Sequence, residues 1–212
     1  MKPLMVEQGS PEWHAARLGS LGASQIKDAF ARTKSGWGAS RRNLIAQIVA
    51  ERLTGEPSEC FCSSDMMRGT ELEPEARRSY EFMTGNGVQE VGLYKHPTIE
   101  GTHASPDGLV GDEGLLEIKC PRTANHIDYI LGGKPPAQYV PQMLWQMACA
   151  GRQWCDFVSY DPRMPIEHQL FIVRLERDDE AIKQMEADCA EFMREVEEII
   201  TKLNERNMAK AG

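Results

Sequence analysis

The residues best placed to do chemistry lie in the middle of the chain, where Asp107 in Ser105-Pro106-Asp107-Gly108 is followed by Glu117-Ile118-Lys119. Two carboxylates supply hard oxygen ligands, which suit Mg²⁺, an ion that prefers near-octahedral oxygen coordination and keeps some of its waters. One or two such ions can hold a phosphate, stabilise the charge that builds on its oxygens and lower the pKa of an attacking water. A lysine beside that water can accept a proton or orient the nucleophile, and nearby cations and partial burial favour its neutral form. The chemistry these types suggest is metal-assisted hydrolysis of a phosphate ester.

Positioning the three groups requires a hairpin. Residues 117 and 119 are two apart on a predicted strand, so they share one face. A three-residue loop centred on Asp112 sets Asp107 opposite Glu117. A two- or four-residue loop separates them, unless Gly108 marks a bulge or irregular backbone. Leu115, Leu116 and Ile118 make this strand apolar enough to be partly buried, and Cys120-Pro121 ends it.

Around the hairpin the pattern alternates between helix and strand. Ser10-Pro11-Glu12 opens a short helix that Gly19 ends, and a second short helix follows Ser24. Thr33 to Ala39 reads as a glycine-rich loop. Ser40 then caps an amphipathic helix to Leu53, with Gly55 as its stop. Residues 64–84 form another helical pattern, in which Pro74 predicts a kink or a restart. Strands are expected at 88–94, near 98–110 and at 115–119, then helices at 124–131 and 137–150. Strands at 154–160 and 168–175 precede a charged helix over 178–207. Helices, a central mixed sheet and helices again predict an α/β fold, with no linker to divide residues 1–212 into more than one domain.

Bulk properties bound the partners. The chain has 212 residues and a formal net charge of −8, which argues against a simple basic nucleic-acid coat. Basic residues are nevertheless in excess over residues 1–50 and acidic ones over 176–212, so positive charge can still be focused in one cleft. No apolar run is long enough for a membrane span and the N-terminus does not read as a signal peptide, so the expected compartment is the cytoplasm. The 6 cysteines, at 60, 62, 120, 149, 155 and 189, lack metal-ligand spacing and are expected to be idle thiols.

Five ordered blocks carry a family resemblance. They are Trp13-His14-Ala15-Ala16-Arg17-Leu18-Gly19 with Gly22-Ala23-Ser24; Arg68-Gly69-Thr70-Glu71-Leu72-Glu73; Ser105-Pro106-Asp107-Gly108-Leu109 with Leu116-Glu117-Ile118-Lys119-Cys120-Pro121; Tyr139-Val140-Pro141-Gln142; and Tyr160-Asp161-Pro162-Arg163-Met164. Together they resemble the lambda exonuclease (YqaJ-type viral recombinase) family of the PD-(D/E)XK nuclease superfamily. The resemblance implies the restriction-endonuclease-like core, a central mixed sheet flanked by helices.

The same resemblance implies roles. Asp107 and Glu117 are the principal metal ligands, with the Ile118 carbonyl as a further one, and Lys119 acts on the nucleophilic water. Glu73 helps to hold metal or water, and Gln142 touches the nucleophile or the scissile phosphate. Arg17, Ser24 and Ser105 fall where the family holds a 5′-terminal phosphate. A further arginine of the family aligns with Asn125 here, which leaves Arg122 as a substitute for the second basic contact. Met66 falls where the family parts the two strands with an apolar wedge, although a methionine at helical spacing is more often core. Trp13 and Trp37 are candidates for stacking on bases, although burial is the expected fate of Trp13.

The implied activity is 5′-to-3′ digestion of one strand of linear double-stranded DNA to mononucleotides, leaving a 3′ overhang for recombination. Mg²⁺ is the implied cofactor, with two ions per site and Mn²⁺ as a substitute. A toroidal homotrimer and a single-strand annealing protein are the implied assembly and partner. The rival readings are a PD-(D/E)XK endonuclease, a RecB-like nuclease and a non-catalytic DNA-binding clamp. Cuts in circular DNA would mark the endonuclease, and magnesium-dependent turnover excludes the clamp.

Overall fold

A five-stranded mixed sheet forms the centre of the computed structural model, which describes residues 2–34, 36–58 and 63–211. Its strands are β4 (Val88–Gln89), β7 (Gly108–Val110), β8 (Gly114–Lys119), β9 (Trp154–Tyr160) and β10 (Leu170–Glu176), in the order β10-β9-β8-β7-β4. β8 and β9 run parallel and every other pair is antiparallel. β1 (Leu21–Gly22), β5 (Tyr94–Lys95) and β6 (Thr102–Ala104) form a smaller sheet in the order β1-β6-β5. β2 (Arg32–Thr33) and β3 (Gly36–Trp37) pair where a glycine-rich loop was expected, with Gly36 taking the left-handed backbone that lets the chain reverse.

The helices are α1 (Pro11–Arg17), α2 (Ile26–Ala29), α3 (Ala39–Thr54), α4 (Ser64–Thr84), α5 (Thr123–Gly132), α6 (Val140–Ala150) and α7 (Asp179–Ala211). Local signals account for most of their ends. Ser10 caps α1 by accepting from the Trp13 N–H at 3.2 Å, and Ser63 caps α4 through the Met66 N–H. Gly38, not Ser40, is the N-cap of α3, so Ser40 lies in the first turn. α4 runs through Pro74 without a restart. Proline removes one helical hydrogen bond there, and burial of Ala76 and Tyr80 against the sheet holds the helix across the gap.

The period of two in β8 divides the core. Leu115 belongs to the larger apolar cluster, with Phe157, α6 residues such as Trp145 and Met147, and the inner faces of α3 and α7. Leu116 and Ile118 pack on the other side with Ala76 and Tyr80 of α4 and Val158 of β9. Glu117 and Lys119 therefore emerge on the α6 side. The expected long strand near 98–110 splits into β6 and β7, which belong to different sheets. The break falls at Ser105-Pro106-Asp107, where proline offers no ladder donor. The strand expected at 88–94 is also interrupted, because Gly92 lies against the N-terminal segment; a Cβ there would be 2.4 Å from the Val6 carbonyl oxygen.

Among the described residues no helix is long and apolar enough to cross a membrane. Cys120, Cys149, Cys155 and Cys189 are buried free thiols, as expected for inert cysteines. Cys60 and Cys62 lie outside the described residues.

Candidate active site

The turn between β7 and β8 settles the register. Val110 pairs with Gly114 and Gly108 with Leu116, so the connection is the three-residue loop Gly111-Asp112-Glu113. This is the arrangement that brings Asp107 alongside Glu117. The backbone departs from a regular ladder at this point. The Asp107 N–H donates to the Leu116 carbonyl at 3.1 Å, and the Asp107 carboxylate accepts the Ile118 N–H at 2.6 Å. Gly108 makes room for β4, since a Cβ there would sit 2.2 Å from a Val88 methyl.

Glu117 is fully buried. Lys119 is ion-paired with its Oε1, Gln142 Nε2 donates to the same oxygen at 2.6 Å, and Gln146 Nε2 donates to Oε2 at 2.6 Å. Gln142 and Gln146 are one turn apart on α6, so the helix presents two amides to one carboxylate. Gln142 was expected at the site. Gln146 was not, because it is embedded in Met143-Leu144-Trp145-Gln146-Met147, a run that reads as core. A fully buried amide within such a run was the available signal, since a buried polar group needs a partner. Replacing Gln146 with Leu keeps the volume but leaves Glu117 Oε2 without its donor. Gln146→Leu is expected to lower the turnover number about tenfold, in steady-state kinetics on DNA, with an unchanged circular dichroism spectrum.

Asp107 shares a cleft of about 740 Å³ with Glu73, Thr70, Arg77, Trp13 and Gln8. Glu73 projects from α4 and is bonded to Arg77 at 2.7 Å, which also pairs with Glu90. Burial raises the Glu73 pKa and Glu117 adds to the shift, against the opposing charges of Arg77 and Lys119. The Asp107 carboxyl is pushed well above the ordinary range by burial and by Glu117, with Lys119 and the Ile118 N–H pulling the other way. Burial disfavours the Lys119 ammonium, but Glu117 and Asp107 outweigh it and hold the pKa above the usual lysine value. The neutral lysine expected from sequence therefore requires those carboxylates to be neutralised first.

That imbalance bears on metal binding. Among the described residues no three His, Cys, Asp or Glu side chains gather into a ready-made cage. Asp107 and Glu117 instead form a two-carboxylate site with too little positive charge nearby, and the Ile118 carbonyl is adjacent in sequence. This donor set fits Mg²⁺, which is commonly held by one or two carboxylates and completes its shell with water.

Two further groups of residues flank the acids. Arg17, at the end of α1, places its guanidinium 3.7 Å from the Trp13 ring centroid and donates from Nε to His103 Nε2 at 3.2 Å. The Trp13 indole N–H in turn donates to Ser105 Oγ at 3.0 Å. Arg17, Trp13 and Ser105 are thus contiguous. Ser24 is exposed in the 3-10 turn Ala23–Gln25 and lines a hollow of about 230 Å³ with Lys27, Gln138, Tyr139 and Gln142. His103, which joins the Arg17 group, was not singled out from sequence, where a lone histidine in a strand carries no pattern.

On the other flank, Arg122 and Met66 line a cleft of about 570 Å³ with Lys119, Asp65 and Tyr139. Arg122 is paired with Asp65 at 2.7 Å. Met66 is 59% exposed, so it is a surface methionine beside the lysine and not part of the core. Arg32 and Arg41 each stack against the Trp37 ring, at 3.8 and 3.9 Å from the centroid.

Comparisons with known proteins bear on the family and the fold. Residues 12–153 match the family model of the YqaJ-like viral recombinase domain. The structure is similar to that of an alkaline exonuclease, LHK-Exo, from Laribacter hongkongensis, with a TM-score of 0.88 and 51% sequence identity, covering 96% of this chain and 100% of that one. The same relative in complex with dAMP gives an equal match. A phage related exonuclease from Haemophilus somnus 129PT matches with a TM-score of 0.71 at 15% identity, covering 87% of this chain and 96% of that one, and this likeness concerns the fold alone. No curated protein matches the sequence.

Proposed function

Because the chain belongs to the YqaJ-like viral recombinase domain family, with the α/β fold of PD-(D/E)XK nucleases, we propose that it is a DNA exonuclease. It digests one strand of linear duplex DNA from a 5′-phosphorylated end to mononucleotides, leaving a 3′ overhang for strand annealing. The observation that carries this reading is the meeting of Asp107, Glu117 and Lys119 at the β7–β8 end. The relative's complex with dAMP is in keeping with release of nucleoside monophosphates.

The side chains divide the work. Asp107, Glu117 and the Ile118 carbonyl would hold Mg²⁺, or Mn²⁺ in its place, with Glu73 contributing to a second ion or its water. The bound metal supplies Lewis-acid stabilisation of phosphate charge and a more acidic water. Gln146 keeps Glu117 oriented from α6, and Gln142, which donates to Glu117, would touch the phosphate or the nucleophile. Lys119 holds the attacking water and takes up its proton once the charges of Asp107 and Glu117 are compensated. Arg17, with Ser105 and Ser24, takes the terminal 5′ phosphate, for which a guanidinium is the best suited side chain. Arg122 provides a second basic contact near the reacting strand, and exposed Met66 separates the strands.

A ring of three copies around DNA accounts for processivity by topology. It also accommodates the net charge of −8, provided the basic groups face the lumen. A single-strand annealing protein would receive the overhang.

The test is a linear duplex with a 5′ phosphate on one strand only, incubated with Mg²⁺ and resolved strand by strand. The phosphorylated strand alone is expected to disappear as mononucleotides, with circular DNA left intact. Internal cuts, or equal loss of both strands, would overturn the exonuclease reading while leaving a nuclease site.

A further inference from the structure

We propose that His103 is a positioning residue that aims the Arg17 guanidinium at the 5′-terminal phosphate of a DNA end. The inference rests on the end-binding role proposed above for Arg17. An arginine side chain only donates hydrogen bonds. The contact from Arg17 Nε at 3.2 Å therefore makes His103 Nε2 the acceptor and places the ring proton on Nδ1. Nδ1 then donates to Ser20 Oγ, 2.9 Å away, and Ser20 Oγ donates to the Arg17 carbonyl at 2.6 Å. The path returns to the residue from which it began. Every group in it has one possible role, so it fixes the direction of the arginine side chain as well as its reach.

The surrounding structure is built to hold the imidazole. His103 is 3% exposed, on the central strand of the β1-β6-β5 sheet, opposite Gly22 on one side and Lys95 on the other. A Cβ at position 22 would lie 2.9 Å from His103 Nε2, so glycine leaves the space that the ring occupies. Burial drives the His103 pKa down to about 3, and the charges of Arg17 and Lys95 act in the same direction. A neutral ring is required, because an imidazolium would have no lone pair to accept from Arg17. With Nε tied to His103 and one face of the guanidinium on Trp13, the plane in which the Nη groups lie is set before DNA arrives. Pre-ordering of this kind reduces what binding must spend on fixing a flexible side chain.

The test compares single-turnover initiation, with Mg²⁺, on linear duplexes whose one open end carries a 5′ phosphate or a 5′ hydroxyl. Wild type is expected to prefer the phosphorylated end and Arg17→Ala to lose that preference. His103→Leu, which removes the acceptor but keeps an apolar volume, is expected to reduce the preference about tenfold, with the loss on the phosphorylated end. His103→Gln, whose amide oxygen can reach the position of Nε2, should restore most of it. Ser20→Ala, at a half-buried site, is expected to weaken it about threefold, and this variant decides the matter should His103→Leu fail to fold. A His103→Leu protein with wild-type preference, or one that slows equally on both ends, would overturn the inference while Arg17→Ala still upholds the end-binding role. A wild type that ignores the end group would overturn that role and this inference together.

Discussion

Lys119→Met is expected to lower single-turnover release of mononucleotides by about 10³-fold, the range associated with loss of a group that moves a proton in the transition state. Methionine fills the space of the lysine stem and removes the ammonium from beside Glu117. Glu117 retains its two amide donors from α6, so the carboxylate stays in place and the loss reports on the lysine itself. Lys119→Arg separates charge from proton transfer, because a guanidinium keeps its positive charge but does not give up a proton near neutral pH. Both variants should bind DNA and both should cleave it about 10³-fold more slowly. Recovery of activity in Lys119→Arg would reduce the role of Lys119 to electrostatics, and a loss of under tenfold in Lys119→Met would remove it from the nucleophile altogether.

The largest effect on stability is expected at Asp156. This carboxylate is 4% exposed on β9. It accepts from the Tyr80 hydroxyl of α4 at 2.8 Å and from Arg174 of β10 at 2.8 and 3.0 Å. Arg174 in turn stacks on the Trp154 ring at 3.4 Å. One side chain therefore fastens a helix and two strands. Asp156→Ala takes the acceptor from a fully buried tyrosine hydroxyl, while Arg174, which is partly exposed, recovers some hydration. A loss of about 3 kcal/mol is expected, equivalent to a fall in Tm of about 10 °C for a chain of this size. Asp156→Asn keeps an acceptor and should lose about half as much. Differential scanning calorimetry checks both, and a fall in Tm of under 3 °C for Asp156→Ala would show that the fastening is dispensable.

What could be read from the sequence had a local cause. Asp107, Glu117 and Lys119 stood out because two acids and a lysine flank a turn in an apolar strand, and a period of two placed Glu117 and Lys119 on one face. The loop length remained open until Gly111, Asp112 and Glu113 were seen to make the connection. Gln142 and Arg17 were found through the resemblance, whereas Gln146 and His103 were hidden by their surroundings. One sits in an apolar helical run and the other alone in a strand, and each acquires a role only through a partner far away in sequence. The arginine partners of Trp37 were hidden for the same reason, since the one from α3 cannot be inferred from the glycine-rich segment around the ring. Helix boundaries followed caps and glycines closely, apart from α3, where Gly38 precedes the serine that seemed the better cap.

The order in which the chain leaves the ribosome adds a temporal dimension to the placement of α7. Ile182, Met185, Cys189, Phe192, Met193 and Val196 of that helix close the larger core, long after Asp107, Glu117 and Lys119 have been synthesised. Chains fold domain by domain as they emerge, and exposed apolar surface invites misassociation in the interval. Asp107, Glu117 and Lys119 of a nascent chain are therefore present before the layer that stabilises their support, and the larger core cannot close until α7 has emerged to cover it.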